Sequence, residues 1–247
     1  LAKNLKENAV ELAGSIALVT GGARRLGAAM VRALVVRGVH VALHCHTARA
    51  MGEALAAELR AGGGTVEVFT ADLRQRSDVD ALFEGIIRRF GALHILINNA
   101  AIFERRPWPE LTDDDWEQML TVNLTAPFWC ARRAAQLMLA QGRGKIINLA
   151  CVGGVQPWAA HIHYNVSKAG LIMLTEGLAK ALAPVVQVNA IAPGIVNLTG
   201  TQEGVTPEDI TQALLYLLSA DAVTGETLFV DAGYRLGLKP PAKPQQA

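Results

Sequence analysis

Tyr164 and Lys168, four residues apart in the stretch Tyr164-Asn165-Val166-Ser167-Lys168, are the residues here most clearly suited to chemistry. They open an apolar run of helical period through Ala169, Leu171, Ile172, Leu174, Leu178 and Leu182. On a helix that spacing stacks the two side chains on one face, one turn apart. A fixed ammonium favours the phenolate and so lowers a tyrosine pKa, which makes Tyr164 a candidate proton donor near neutral pH. A surface helix whose Tyr and Lys merely snorkel has the same local pattern, so other stretches must decide.

The elements that would position this pair alternate along the chain. Short Val- and Ile-rich runs predict strands at Ile16–Thr20, Val39–His44, Val66–Thr70, Ile95–Asn98, Lys145–Leu149, Gln187–Ile191 and Thr227–Val230. Helical periods fall between them at Leu26–Val36, Met51–Ala61, Asp78–Phe90, Asp114–Ala140, Tyr164–Ala183 and Pro207–Ser219. Such alternation implies right-handed crossovers and an α/β fold, a Rossmann-type doubly wound parallel sheet covered on both faces. No repeat or linker divides the pattern, so residues 1–239 are expected to form one domain. Residues 240–247, with three prolines, are expected to be a flexible tail.

At 247 residues and 51% hydrophobic, the chain can bury a substantial core. Its 23 basic residues nearly balance 22 acidic ones, which gives no global attraction to nucleic acid or to an anionic membrane. No apolar segment reaches membrane-spanning length. Cys45, Cys130 and Cys151 are scattered without metal-ligand spacing, which suits a reducing compartment, and the expected location is cytoplasmic.

A glycine-rich turn, TGGARRLG at residues 20–27, lies between the first strand and the first helix. Placed there, its backbone N–H groups and the helix N-terminus can face a pyrophosphate. Arg24 and Arg25 oppose the helix dipole at this position, which a bound anion explains better than a solvated first turn. The second strand ends in Leu43-His44-Cys45-His46-Thr47, with no acid to hold an adenosine ribose. That absence favours a 2′-phosphate, with Arg24, His46 and Thr47 as contacts, and hence NADPH. His44 and His46 share a strand face, but no third metal ligand is evident, and surface histidines are the plain alternative. Asp72-Leu73 and Asn98-Asn99-Ala100-Ala101 follow the third and fourth strands, at the sheet edge where ligands bind.

In this order, TGGARRLG, Asp72, NNAA at 98–101, Asn123 in VNL, the Tyr164–Lys168 pair and Pro193-Gly194 resemble the short-chain dehydrogenase/reductase family, from about Ser15 to Leu236. Arg25 in place of a middle glycine, the LHCH strand end, Phe103 and the terminal VDAGYRL resemble its pteridine reductase branch. The resemblance implies that Gly21, Arg25, Leu26, His46, Asp72, Asn99 and Ala100 hold the cofactor, with Leu73, Ala101, Pro193 and Gly194 along the same groove. It implies that Tyr164 delivers a proton, that Lys168 lowers the tyrosine pKa and bonds the nicotinamide ribose, and that Asn123 supports a proton-relay water. Phe103 would stack on a flat substrate ring, although ordinary core packing fits the residue too. Asn123 sits inside a long helical stretch, where a kink with bound water would satisfy a buried amide; a structural asparagine is the alternative.

Two positions depart from that family. Cys151 stands thirteen residues before Tyr164, where a serine is usual and pteridine reductases can have an aspartate. A thiol is a weak donor, so Cys151 would polarise a carbonyl less well; a packing or redox-sensitive role is also open. The segment from Ile195 to Thr206 is short for a substrate-covering insertion. Trp158, His161 and His163 lie near the site in sequence without an assigned role. The expected activity is NADPH-dependent reduction of a pterin-like ring. The alternatives are a carbonyl reductase of 3-oxoacyl thioesters or a nucleotide-sensing protein without turnover. The apolar long helices, with the resemblance, imply a homotetramer.

Overall fold

The computed structural model describes residues 10–199 and 203–238. Seven strands pair in parallel in the order β3-β2-β1-β4-β5-β6-β7: β1 Ile16–Val19, β2 His40–Cys45, β3 Val66–Thr70, β4 Ile95–Asn98, β5 Gly144–Leu149, β6 Val186–Pro193 and β7 Thr227–Val230. β1, β4, β5 and β6 are buried along their whole length, as central strands sandwiched between helix layers must be. The reversal of strand order beside β1 opens a crevice at the carboxyl edge, where β1 and β4 end together.

Alternating strand residues feed two cores. Ala17, Val19, Ile95 and Ile97 face helices α1 (Arg25–Val36), α2 (Arg49–Ala61) and α7 (Pro207–Ser219). Ile16, Leu18 and Leu96 face α3 (Arg76–Phe90), α5 (Ala126–Gln141) and α6 (Ile162–Leu182). Helix ends follow local chemistry. Thr112 and Asp115 form a capping box at the start of α4 (Asp113–Leu120), and Thr206 and Asp209 form another on α7. Gly91 stops α3 in the left-handed region at φ 78°.

The expected helix from Asp114 to Ala140 is instead two helices, α4 and α5, joined by a π-helical turn over Thr121–Thr125. Pro127 explains the break. It has no N–H, and its ring would collide with the carbonyl of the residue four before it, Asn123. β6 extends past both expected ends, because Val186 pairs with Gly144 and Pro193 with Val230. The expected tail at 240–247 and the first nine residues lie outside the described residues.

A buried polar thread fixes α6 against the sheet. Asn98 Nδ2 donates to Asn148 Oδ1 at 2.9 Å, Asn148 Nδ2 to Thr175 Oγ1 at 2.9 Å, and Thr175 Oγ1 to the Leu171 carbonyl at 2.8 Å. Buried amides and hydroxyls satisfied in series set the register of the helix that carries Tyr164 and Lys168. No helix among the described residues is long and apolar enough to cross a membrane.

Candidate active site

A cleft of about 490 Å³ opens at the carboxyl edge beside β1. Gly21, Arg24, Arg25, Leu26, His46, Thr47, Asp72, Leu73, Asn99, Ala100 and Ala101 all line it, so most of the residues expected to hold a cofactor lie together. The glycines are required by contact. Gly21 has φ 63°, and a Cβ there would lie 3.0 Å from the Ala100 Cα; one on Gly27 would lie 2.2 Å from the Gly21 carbonyl oxygen. The backbone therefore forms the surface of the cleft, as close approach to a pyrophosphate needs.

Arg25, at φ 51°, adopts the left-handed conformation that a glycine usually takes, a strained position for a long side chain. Arg24 and Arg25 are exposed, have no ion-pair partner among the described residues and begin a helix with no acid in its first turn. That excess of positive charge at a helix N-terminus suits phosphate groups. Beyond it, His46 lies 4.0 Å from Asp72 and Arg74 lies 2.7 Å from the same carboxylate. The hydrogen bonds from Arg74 hold the Asp72 carboxyl down at about 2. The paired arginines at a helix N-terminus fit a dinucleotide phosphate.

Thr20, part of the glycine-rich motif, has a role of its own that the sequence did not assign. Thr20 Oγ1 accepts from the Asn99 N–H at 2.9 Å and the Ala100 N–H at 3.0 Å, tying β4 to the turn. Asn99 Nδ2 returns a bond to the Thr20 carbonyl at 2.8 Å. His44 is buried, which corrects the expectation of a surface histidine. Its Nδ1 accepts from the Gly21 N–H at 3.2 Å, and its Nε2 lies 3.1 Å from the Ala71 carbonyl, so the proton belongs on Nε2. Burial pulls the imidazole down to about 4 and keeps it neutral, which lets it accept and donate at once. β2 is buried on both faces from Val41 to Cys45, which takes His44 inside, while His46 lies beyond the strand end and is exposed.

The second half of the site stands on α6. Tyr164 and Lys168 are both buried, not snorkelling, and Lys168 Nζ sits 5.7 Å from the Tyr164 ring centroid. Lys168 Nζ donates to the Leu149 carbonyl at 2.7 Å, and burial pulls the ammonium down to about 8. The expected lowering of the tyrosine is not what the environment produces. Burial, and after it the neighbouring Cys151 thiol, hold the Tyr164 phenol well above the ordinary tyrosine range. Desolvation of the phenolate outweighs the nearby ammonium. Cys151 Sγ also accepts from the Gly153 N–H at 3.4 Å, so the thiol caps its own turn while it touches the phenol.

Asn123, fully buried in the π turn, joins the two halves. Its Oδ1 accepts from the Ile102 N–H at 2.9 Å and its Nδ2 donates to the Ile102 carbonyl at 2.9 Å, while Ile102 lines the cleft. Nδ2 also lies 3.3 Å from Ser167 Oγ, which donates to the Tyr164 carbonyl at 2.7 Å. The kink expected around Asn123 is therefore present, and protein groups satisfy its amide.

Phe103 is 59% exposed, which excludes the core-packing alternative. Its ring stacks on His161 (centroids 4.7 Å apart, planes 6° apart) and meets Tyr164 edge-on at 4.7 Å. Trp158 lies parallel to Tyr164 at 6.2 Å. His163 is fully buried. Pro193 and Gly194 do not line the cleft. Gly194 donates to the Val230 carbonyl, and a Cβ there would meet the Asp231 Cβ at 2.8 Å, so this glycine serves the β6–β7 junction. Beyond it Val196 and Val205 pair in an isolated parallel bridge, and Val196 and Leu198 reach the cleft wall.

Residues 15–209 match the short chain dehydrogenase family. The chain is 31% identical to a 3-oxoacyl-[acyl-carrier-protein] reductase of Synechocystis, over 90% of this chain and 97% of the relative. It is 34% identical to the 3beta-hydroxysteroid dehydrogenase 1 of Eggerthella lenta, over 92% and 95%. A mutant short-chain dehydrogenase/reductase from Serratia marcescens superposes with a TM-score of 0.85 at 30% identity, covering 92% of this chain and all of that one. With the fold, the glycine-rich cleft and matches of this extent in agreement, the chain belongs to the short-chain dehydrogenase/reductase family of nicotinamide-dependent oxidoreductases.

Proposed function

We propose that this protein is an NADPH-dependent reductase of a pterin-like ring, with Tyr164 as proton donor. The observation that carries this reading is the exposed Phe103 ring 4.7 Å from Tyr164, a flat apolar platform beside a buried acid. NADPH supplies the hydride from its nicotinamide. Gly21, Arg24, Arg25, Leu26, Asp72, Leu73, Asn99, Ala100 and Ala101 hold it in this reading, and Pro193-Gly194 shape the sheet edge beyond. Arg24, His46 and Thr47 give the adenosine end a cationic, acid-poor surface suited to a 2′-phosphate, since Asp72 is already paired with Arg74.

Tyr164 holds its proton until substrate charge develops, as its raised pKa requires. Lys168 stays anchored at Leu149 and keeps further N–H groups for the nicotinamide ribose and the phenol. Asn123 fixes the start of α6 against the cleft wall, where a relay water would be held. Cys151 contributes a weak donor beside the phenol in place of a hydroxyl.

A second reading, reduction of a 3-oxoacyl thioester, is favoured by the similarity to the Synechocystis enzyme and by Cys151 in place of an aspartate. A nucleotide sensor without turnover is the weakest reading, since Asn123, Tyr164 and Lys168 are all assembled. Oxidation of NADPH measured with dihydrobiopterin and with an acetoacetyl thioester separates the three. Turnover of the pterin supports the first reading, turnover of the thioester alone replaces it with the second, and binding of NADPH without turnover leaves the sensor. The same reading includes a cytoplasmic homotetramer built on α5 and α6, which expose Phe128, Leu139, Val166 and Met173. A monomer mass by light scattering would reject that assembly.

A further inference from the structure

The rings around Phe103 form two parallel pairs set across one another. Phe103 lies parallel to His161, Trp158 lies parallel to Tyr164, and the pairs meet at 76° to 84°. One face of Phe103 is covered by the imidazole, and Tyr164 and Trp158 stand crosswise to the ring, yet the residue remains 59% exposed. With His161 stacked on one face, that exposure leaves ring surface for a ligand to cover.

The bracket is fixed from outside. Asn165 accepts from the Trp158 N–H at 2.9 Å and donates to the Gly153 carbonyl at 2.7 Å. The His161 N–H donates to the Trp158 carbonyl at 2.9 Å, and the Arg106 N–H donates to the Ala160 carbonyl at 2.8 Å. The loop entering α6 is thus braced internally, and the Arg106–Ala160 bond ties the Phe103 loop to it. Burial, with Arg105 nearby, keeps the imidazole below its ordinary pKa and so neutral, the form that stacks as a flat ring.

We propose that His161 is a positioning residue that backs Phe103 and holds its free face as a rigid stacking surface for a flat heteroaromatic ring. This rests on the pterin-ring reading above and deepens it. A phenylalanine that is open on both faces on a surface loop would lose rotamer freedom on binding; one already clamped has lost it beforehand. The imidazole acts as a ring and not as a hydrogen-bonding group, so another flat ring can replace it. A ring stacked on Phe103 also has its plane turned by about 76° from that of the phenol, which matches attack at an edge atom of the ring and suits extended aliphatic substrates less.

The test is calorimetric titration of biopterin into NADP+-saturated protein for the wild type, His161→Ala and His161→Phe. His161→Ala is expected to weaken biopterin about five-fold, the size of one aromatic stack, with the NADP+ Kd unchanged. His161→Phe is expected to restore wild-type affinity. Unchanged affinity in His161→Ala, an equal loss in His161→Phe, or no biopterin binding by the wild type would each overturn the inference. A wild type that binds biopterin in this pattern but never oxidises NADPH contradicts the reductase reading and leaves the bracket standing. Oxidation of NADPH by dihydrobiopterin with unchanged biopterin affinity in His161→Ala does the reverse.

Discussion

At the cofactor end of the cleft, Thr20, His44 and Asn99 lock the glycine-rich turn to β4 and β3 with hydrogen bonds between 2.8 and 3.2 Å that engage backbone groups. At the substrate end, Phe103, Trp158, His161 and Tyr164 meet through ring contacts of 4.7 to 6.2 Å, on loops and the first turn of α6. The first region presents mostly main chain and has little freedom to vary, because a side chain at Gly21 or Gly27 collides with the backbone. The second presents side chains and can change its ligand by changing residues. A reductase needs both, a fixed place for the common reagent and an adaptable one for the substrate.

Substitution at Tyr164 tests the division most severely. Tyr164→Phe is expected to lower kcat about 10³-fold through loss of general-acid catalysis, while NADPH affinity by fluorescence titration stays within about two-fold. An equal loss of affinity would mean that the two ends are not separable.

His44→Leu works from the other end. It leaves the Gly21 N–H and the Ala71 carbonyl without their partner, and is expected to cost about 2–4 kcal/mol in denaturant unfolding. Acid should reproduce part of this in the wild type. His44 is near 4 in the fold and near its ordinary value when unfolded, so the unfolded chain binds the extra proton first. The contribution is full above about pH 6.5 and is lost as pH falls toward 4, a change of about 3 kcal/mol. A wild type and a His44→Leu variant with parallel stability profiles over that range would remove His44 from this role.

The smallest effect belongs to Cys151→Ser. A hydroxyl is a better donor than a thiol and lies beside the phenol, so kcat is expected to rise by about two- to five-fold for a carbonyl substrate without a change in NADPH affinity. A fall in kcat would make Cys151 a residue suited to its own substrate.

The difference between the two ends also decides what was legible in the sequence. The seven strands and the turn at 20–27 followed from periodicity and glycine, because backbone requirements leave few residue choices. The residues along the cleft wall came together for the same reason. The sequence leaves His44 at the surface because a histidine at a strand end has no sequence mark of burial; only the approach of the Gly21 and Ala71 backbones shows it. The helix break at Asn123 was signalled by Pro127, four residues later, but the apolar period ran through both. The direction of the Tyr164 shift could not be read from spacing, since four residues fix the ammonium's place and say nothing of how much water remains. The ring bracket joins residues 103, 158, 161 and 164 through loop geometry, which no local period records.

The most direct measurement is the fate of the transferred hydrogen. NADPH carrying deuterium at both C4 positions would be incubated with the protein and dihydrobiopterin, and the product weighed by mass spectrometry. A tetrahydropterin with one deuterium is the result expected of a hydride-transferring reductase. Oxidised cofactor with no deuterium in the product, or no oxidation while Tyr164 and Lys168 are intact, would contradict it.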